Sequence, residues 1–118
     1  MASFEQGDVI KVPFPYTDRA TRQYRPALVV SMGRLGVAHG LLWVLMITSA
    51  ENRGWPGDVP LNDTEQAGLP APSIIRTAKI ATIEAVDASK LGQVSSSVLK
   101  KVLKRVALEL GVESARAR

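Results

Sequence analysis

Arg25-Pro26-Ala27-Leu28-Val29-Val30-Ser31 is the stretch around which the chain is organised. Proline has no N–H to give a ladder, so it sits well only at the start or edge of a strand. It also pushes Arg25 toward an extended backbone. The residues after it are too few for a helix and rich enough in valine for a buried strand. The expected picture is a core strand with a guanidinium at its mouth. A planar, always charged, five-donor group on a rigid strand suits an anion such as a phosphate. An arginine in a loop ion pair is the plainer alternative.

Around that strand the bulk composition is ordinary. A chain of 118 residues implies one domain, residues 1–118, with a modest core. The apolar share of 46% and charged share of 22% are those of a globular protein. There is no cysteine, which excludes disulfides, thiolate metal sites and a cysteine nucleophile. The lone histidine, His39, excludes the usual zinc clusters and reads as a turn residue. Met1 to Asp8 lacks a basic-then-apolar signal pattern, so a cytoplasmic protein is expected. The longest apolar run, Leu41 to Ile47, is too short to span a bilayer, so no membrane association is expected. The formal charge is +4 and the pI about 9.8. Residues 95–118 carry six basic and two acidic side chains, whereas residues 1–94 carry nine of each. The excess therefore lies on the C-terminal segment, where a solvated helix face explains it and nucleic acid need not.

In chain order, Asp8 to Phe14 alternates as a half-buried strand ended by Pro13 and Pro15. Residues 15–24 form a polar loop in which Arg19 and Arg22 are interleaved with Tyr16 and Tyr24. Cations between aromatics suit single-stranded nucleic acid, and a plain surface loop is the alternative. A second strand is expected over Ala27 to Met32. A third, Leu41 to Thr48, is apolar on both faces and should be central, with Trp43 in the core. Thr48 and Ser49 close it with hydroxyls. Residues 50–57 read as loop, with Trp55 outside the core. A short strand follows over Asp58 to Leu61, then one helical turn capped by Asn62 or Asp63. Ser73 to Ala85 reads as a long strand. Strict alternation puts Ile74, Arg76, Ala78, Ile80 and Thr82 on one face and Ile75, Thr77, Lys79, Ala81 and Ile83 on the other. Arg76 then lies mid-strand and needs a partner. Asp87 to Gly92 reads as a turn, and Gln93-Val94 as a possible short strand. Ser95 to Ser97 can cap a final helix, Val98 to Leu110, which Gly111 ends. Val98, Leu99, Val102, Val106 and Leu110 share its apolar face. The fold class is mostly β with α+β character: a curled antiparallel sheet closed by a C-terminal helix.

The order of these motifs resembles the MazF/PemK toxin family. The resemblance rests on Gly7-Asp8-Val9-Ile10, Arg25 to Ser31, Met46-Ile47-Thr48-Ser49, Ala67-Gly68-Leu69, Pro72-Ser73-Ile74-Ile75-Arg76 and Leu91-Gly92 with the last helix. It covers about residues 5–111. It implies an SH3-like antiparallel β-barrel with a C-terminal α-helix, working as a homodimer without a cofactor. It implies the toxin of a type II toxin–antitoxin pair that cuts single-stranded RNA at short sequences without a metal, and whose site a cognate antitoxin masks. By resemblance, Arg25, Thr48 and Arg76 match catalytic positions. Tyr16, Thr17, Asp18, Arg19, Arg22, Ser49, Arg53 and Ser73 are the expected RNA-binding residues.

Two departures matter. The PemK branch carries an aspartate two residues after the strand arginine, where this chain has Ala78. The histidine of some members' first loop is also absent. Asp18 or Arg25 then remains as the base, although a free arginine is a poor one. Two other readings stay open: a member that only binds RNA or antitoxin, and a DNA gyrase poison like the related CcdB proteins. The C-terminal tryptophan on which CcdB-type poisoning relies is lacking here.

Overall fold

The structure, a computed structural model, describes residues 4–13, 24–32 and 40–112. Among these residues six strands form one curled antiparallel sheet: β1 (Asp8–Pro13), β2 (Tyr24–Val29), β3 (Leu41–Ser49), β4 (Val59–Leu61), β5 (Ser73–Glu84) and β6 (Ser89–Gln93). Their spatial order is β4-β5-β3-β2-β1-β6. A single turn, α1 (Thr64–Ala67), follows β4, and a long helix, α2 (Ser96–Leu110), ends the described chain. The expected curled, mostly antiparallel sheet with a C-terminal helix is present, and it takes the form of a half-barrel.

The sheet buries both faces. One face sets Val9, Leu28, Leu45, Ile47, Leu61 and Ile75 against α2, through Val102, with Val98, Leu99, Leu103 and Val106 alongside. The other gathers Phe4, Ile10, Val12, Val29, Leu42, Val44, Met46 and Ile83. Val102 is fully buried, and such burial contributes about 1.5–3 kcal/mol. α2 starts where Ser95 Oγ accepts the Val98 N–H at 3.2 Å and stops at Gly111, whose φ of 77° is left-handed. Its apolar face ends before Leu110, which is exposed.

The strand boundaries differ from expectation for physical reasons. β2 begins three residues before Ala27, at Tyr24, because Tyr24, Arg25 and Pro26 pair with β1. The β2–β3 ladder comprises Ala27↔Met46, Leu28↔Leu45 and Val29↔Val44. The missing N–H of Pro26 therefore falls where β2 has already left β3. β6 occupies a stretch read as a turn, since β1 offers it an edge to pair with. Trp43 is 49% exposed rather than core, near the far end of β3 on the face that α2 covers elsewhere. The strict alternation of β5 breaks midway: Leu45 pairs with Ile80, but the next residue, Met46, pairs with Arg76. Thr77, Ala78 and Lys79 form a bulge, and such a bulge bends a strand and re-aims its side chains.

The half-barrel is drawn together at its edges by α1 against β6. Gly68 takes a left-handed φ of 72° and lies against the Leu91 backbone, while Gly92 faces the Ala67 backbone, where an added Cβ would come within 2.5 Å of the carbonyl carbon. Asp8, 2% exposed, accepts the Glu5 N–H at 2.9 Å and pairs with Lys90 at 3.3 Å, tying β1 to β6. Gly92→Ala should cost about 1–3 kcal/mol, because backbone rather than a flexible side chain must give way. Thermal or urea unfolding measures it, and an unchanged midpoint would refute the close approach.

Candidate functional site

The parting of β2 from β3 opens a cleft. Continuing the β2–β3 register past its last rung sets Arg25 across from Thr48. Both residues line a cavity of about 580 Å³ and a second of about 130 Å³ beside it. The larger has an apolar wall of Tyr24, Pro26, Leu69, Pro70 and Pro72, with Ser49, Asn52 and Ser73 adding polar atoms. The smaller is lined by Arg25, Met46, Ile47, Thr48, Arg76 and Lys79. Among the described residues, neither cavity wall includes a carboxylate.

A chain of hydrogen bonds holds the centre. Asn52 Nδ2 donates to Thr48 Oγ1 at 2.9 Å, so the threonine hydroxyl keeps its own proton to give. The Asn52 carbonyl accepts Arg76 Nη2 at 2.6 Å. Asp58 grips the same guanidinium with both oxygens, at 3.2 Å from Nε and 3.0 Å from Nη2. The Trp55 ring covers the guanidinium at 4.2 Å, the stacked geometry that suits arginine. Asp58 also receives the Gly54 and Trp55 N–H groups at 3.3 and 3.1 Å. Arg76 thus has the partner its mid-strand position demanded.

Burial pushes the Asp58 carboxyl up, but the Arg76 hydrogen bonds, the Trp55 N–H, the Arg76 charge and the Gly54 N–H outweigh it and hold it below its ordinary 3.8. A lowered carboxylate pKa stabilises the fold above the unfolded value, and that contribution is lost as pH falls through the folded one.

The sequence-derived site residues divide into groups. Arg25, Thr48 and Arg76 converge on the small cavity. Ser49 and Ser73 face each other across β3 and β5 and line the larger one. Ser49 Oγ accepts the Glu51 N–H at 3.2 Å, and Ser73 donates to the Ala71 carbonyl at 2.9 Å. Arg53 is exposed, donates to the Ala50 carbonyl at 3.1 Å and lines neither cavity. Tyr16, Thr17, Asp18, Arg19 and Arg22 lie outside the described residues. Sequence reasoning missed Asn52, Asp58 and Lys79. Asn52 sat in a stretch read as loop, and Lys79 was assigned by an alternation that the bulge breaks. The signal for Asp58 was the need of Arg76 for a counter-charge.

Asp58→Asn should destabilise the protein by about 1–3 kcal/mol near neutral pH, since it leaves the Arg76 charge without its counter-ion. The gap between wild type and variant should shrink below pH 4, as the wild-type carboxyl takes up its proton. Denaturation midpoints measured across pH 3–7 check both statements; a gap that widens in acid would reverse the sign.

Residues 5–110 match a family model described as PemK-like, MazF-like toxin of type II toxin–antitoxin system. No curated protein sequence matches. Among solved structures, MazF from Deinococcus radiodurans is similar with a TM-score of 0.75 at 22% identity, over 95% of this chain and 100% of that one. A MazE–MazF complex from the same organism gives 0.74 at 22% identity, over 92% and 97%. An endoribonuclease in complex with its cognate antitoxin, from a mycobacterial species, gives 0.71 at 18% identity, over 96% and 98%. At these identities the structures establish a shared fold.

Proposed function

Because the chain belongs to the PemK-like, MazF-like toxins of type II toxin–antitoxin systems, we propose that it is a metal-independent endoribonuclease that cuts single-stranded RNA at a short sequence. The observation that carries this reading is the cleft beyond the last β2–β3 rung, whose lining Arg25 and Thr48 share. In the reaction the RNA 2′-oxygen bonds to phosphorus and the phosphorus–O5′ bond breaks. The products are a 2′,3′-cyclic phosphate and a 5′-hydroxyl, and the proton lost at the 2′-oxygen is balanced by the one gained at O5′.

Arg25 donates to the non-bridging oxygens, where charge must be stabilised, a large term in such chemistry. Thr48, its hydroxyl turned by Asn52, donates a further hydrogen bond. Arg76 acts in part by holding Asn52 in place, since two of its donors go to Asp58. The apolar wall of Tyr24, Pro26 and Pro70 gives an unstacked base a surface beside the phosphate. DNA lacks the attacking hydroxyl and should remain intact.

The cognate antitoxin is expected to be an acidic segment that folds on binding and covers the Arg25 side of the cleft. The MazE–MazF complex of similar fold supports such a partner. A homodimer would cover Trp43 and Ile80, half-exposed apolar side chains two positions apart on one sheet face. Trp43→Glu should then halve the mass measured by light scattering, and a wild-type monomer would refute the dimer.

The decisive experiment incubates wild type and Arg25→Ala with several long mixed-sequence RNAs in EDTA. Wild type should give discrete fragments ending in cyclic phosphate, and the variant at least about 100-fold less cleavage. RNAs all left intact by antitoxin-free wild type that binds its antitoxin in a separate assay would favour the binding-only reading that Ala78 motivates.

A further inference from the structure

We infer that Lys79 is a phosphate-contacting catalytic residue, brought into the site by the β5 bulge from a position that regular alternation would turn away. The inference rests on the ribonuclease reading of the cleft and deepens it by naming a cation beyond the arginines. Between the rungs Leu45↔Ile80 and Met46↔Arg76, β3 advances one residue while β5 advances four. The extra residues are held, not slack. Buried Thr77 donates its hydroxyl to the Gly57 carbonyl at 3.0 Å and lies 3.4 Å from Glu109 Oε2 on α2. With Thr77 anchored inward, Ala78 is exposed and Lys79 is half-buried against the small cavity.

The strand order gives the arrangement its chemistry. β3 lies between β2 and β5. Thr48 is therefore central, with Arg25 on one side and Arg76 and Lys79 on the other. A space of about 130 Å³ with these groups on its walls fits a phosphoryl group. Lys79 adds a further cation on the β5 side of this cavity, beside the Arg76 that Asp58 pairs, and faces the same space as Arg25 on β2. A lysine here acts as a compact point charge with three donors, suited to phosphate oxygens. The position that carries an aspartate in the PemK branch, Ala78, is not the bulge residue that reaches the cavity, so this chain's site is weighted toward charge stabilisation.

The test compares wild type, Lys79→Met and Lys79→Arg. It measures single-turnover cleavage of an RNA that wild type cuts, and the salt dependence of affinity for an all-deoxy oligonucleotide, which cannot be cut. Equal unfolding midpoints establish that the variants fold. Lys79→Met should slow cleavage by about 100-fold and reduce the salt slope by about 0.7, and Lys79→Arg should recover most of both. Cleavage at the wild-type rate with an unchanged slope would overturn the inference and leave the ribonuclease reading intact. Slower cleavage with an unchanged slope and no recovery by arginine would also overturn it, as a structural effect. A reduced slope in a protein that cuts no RNA would uphold the phosphate contact while the ribonuclease reading fails.

Discussion

The missing N–H of Pro26 is the constraint on which the site depends. A residue without a donor cannot take a full place between two neighbouring strands. Here β2 keeps β1 as its partner through Tyr24 while its ladder to β3 ends at Ala27. The two strands part, and the end of β3 with its hydroxyls faces a cleft instead of a ladder. Arg25, next to the proline, is held extended at the edge of that cleft. The same residue pair thus sets both the strand geometry and the position of the guanidinium.

The opposite wall is built by a second departure from regularity. β5 would pair evenly with β3 along its length if its sequence were only a strand. Instead Thr77, Ala78 and Lys79 loop out, and Arg76 turns into a clamp made by the segment before β4. Asp58, Trp55 and the Asn52 carbonyl all close on that one guanidinium. A buried arginine is tolerated because its charge and donors are answered. The clamp also fixes Asn52, whose side chain directs Thr48. Stability and orientation of the site are therefore one network, and a change in its counter-ion reaches the hydroxyl three hydrogen bonds away.

Arg25, Thr48 and Arg76, singled out by family resemblance, line one small cavity, and each also carries a local peculiarity: a cation before a proline, a hydroxyl at the end of an apolar run, a charge inside a strand. Asn52, Asp58 and Lys79 carry no such mark. Their roles depend on residues 4 to 54 positions away along the chain, which local pattern does not report. Trp43 shows the opposite failure. Its apolar bulk and central strand suggested core, yet the strand runs past the part of the sheet that α2 covers.

By itself the sequence determined most of the elements, β6 excepted: apolar alternation for the strands, Ser95 and Gly111 for the helix ends, valine-rich runs for the interior. These are local properties of a few consecutive residues. Only the tertiary structure decided the β5 bulge, the partner of Arg76, the seam at Gly68 and Gly92, and the cavity that Arg25 and Thr48 share. Each of these is a meeting of strands far apart in the chain, and register between such strands is set by side chains packing across the sheet rather than by any residue's own preference.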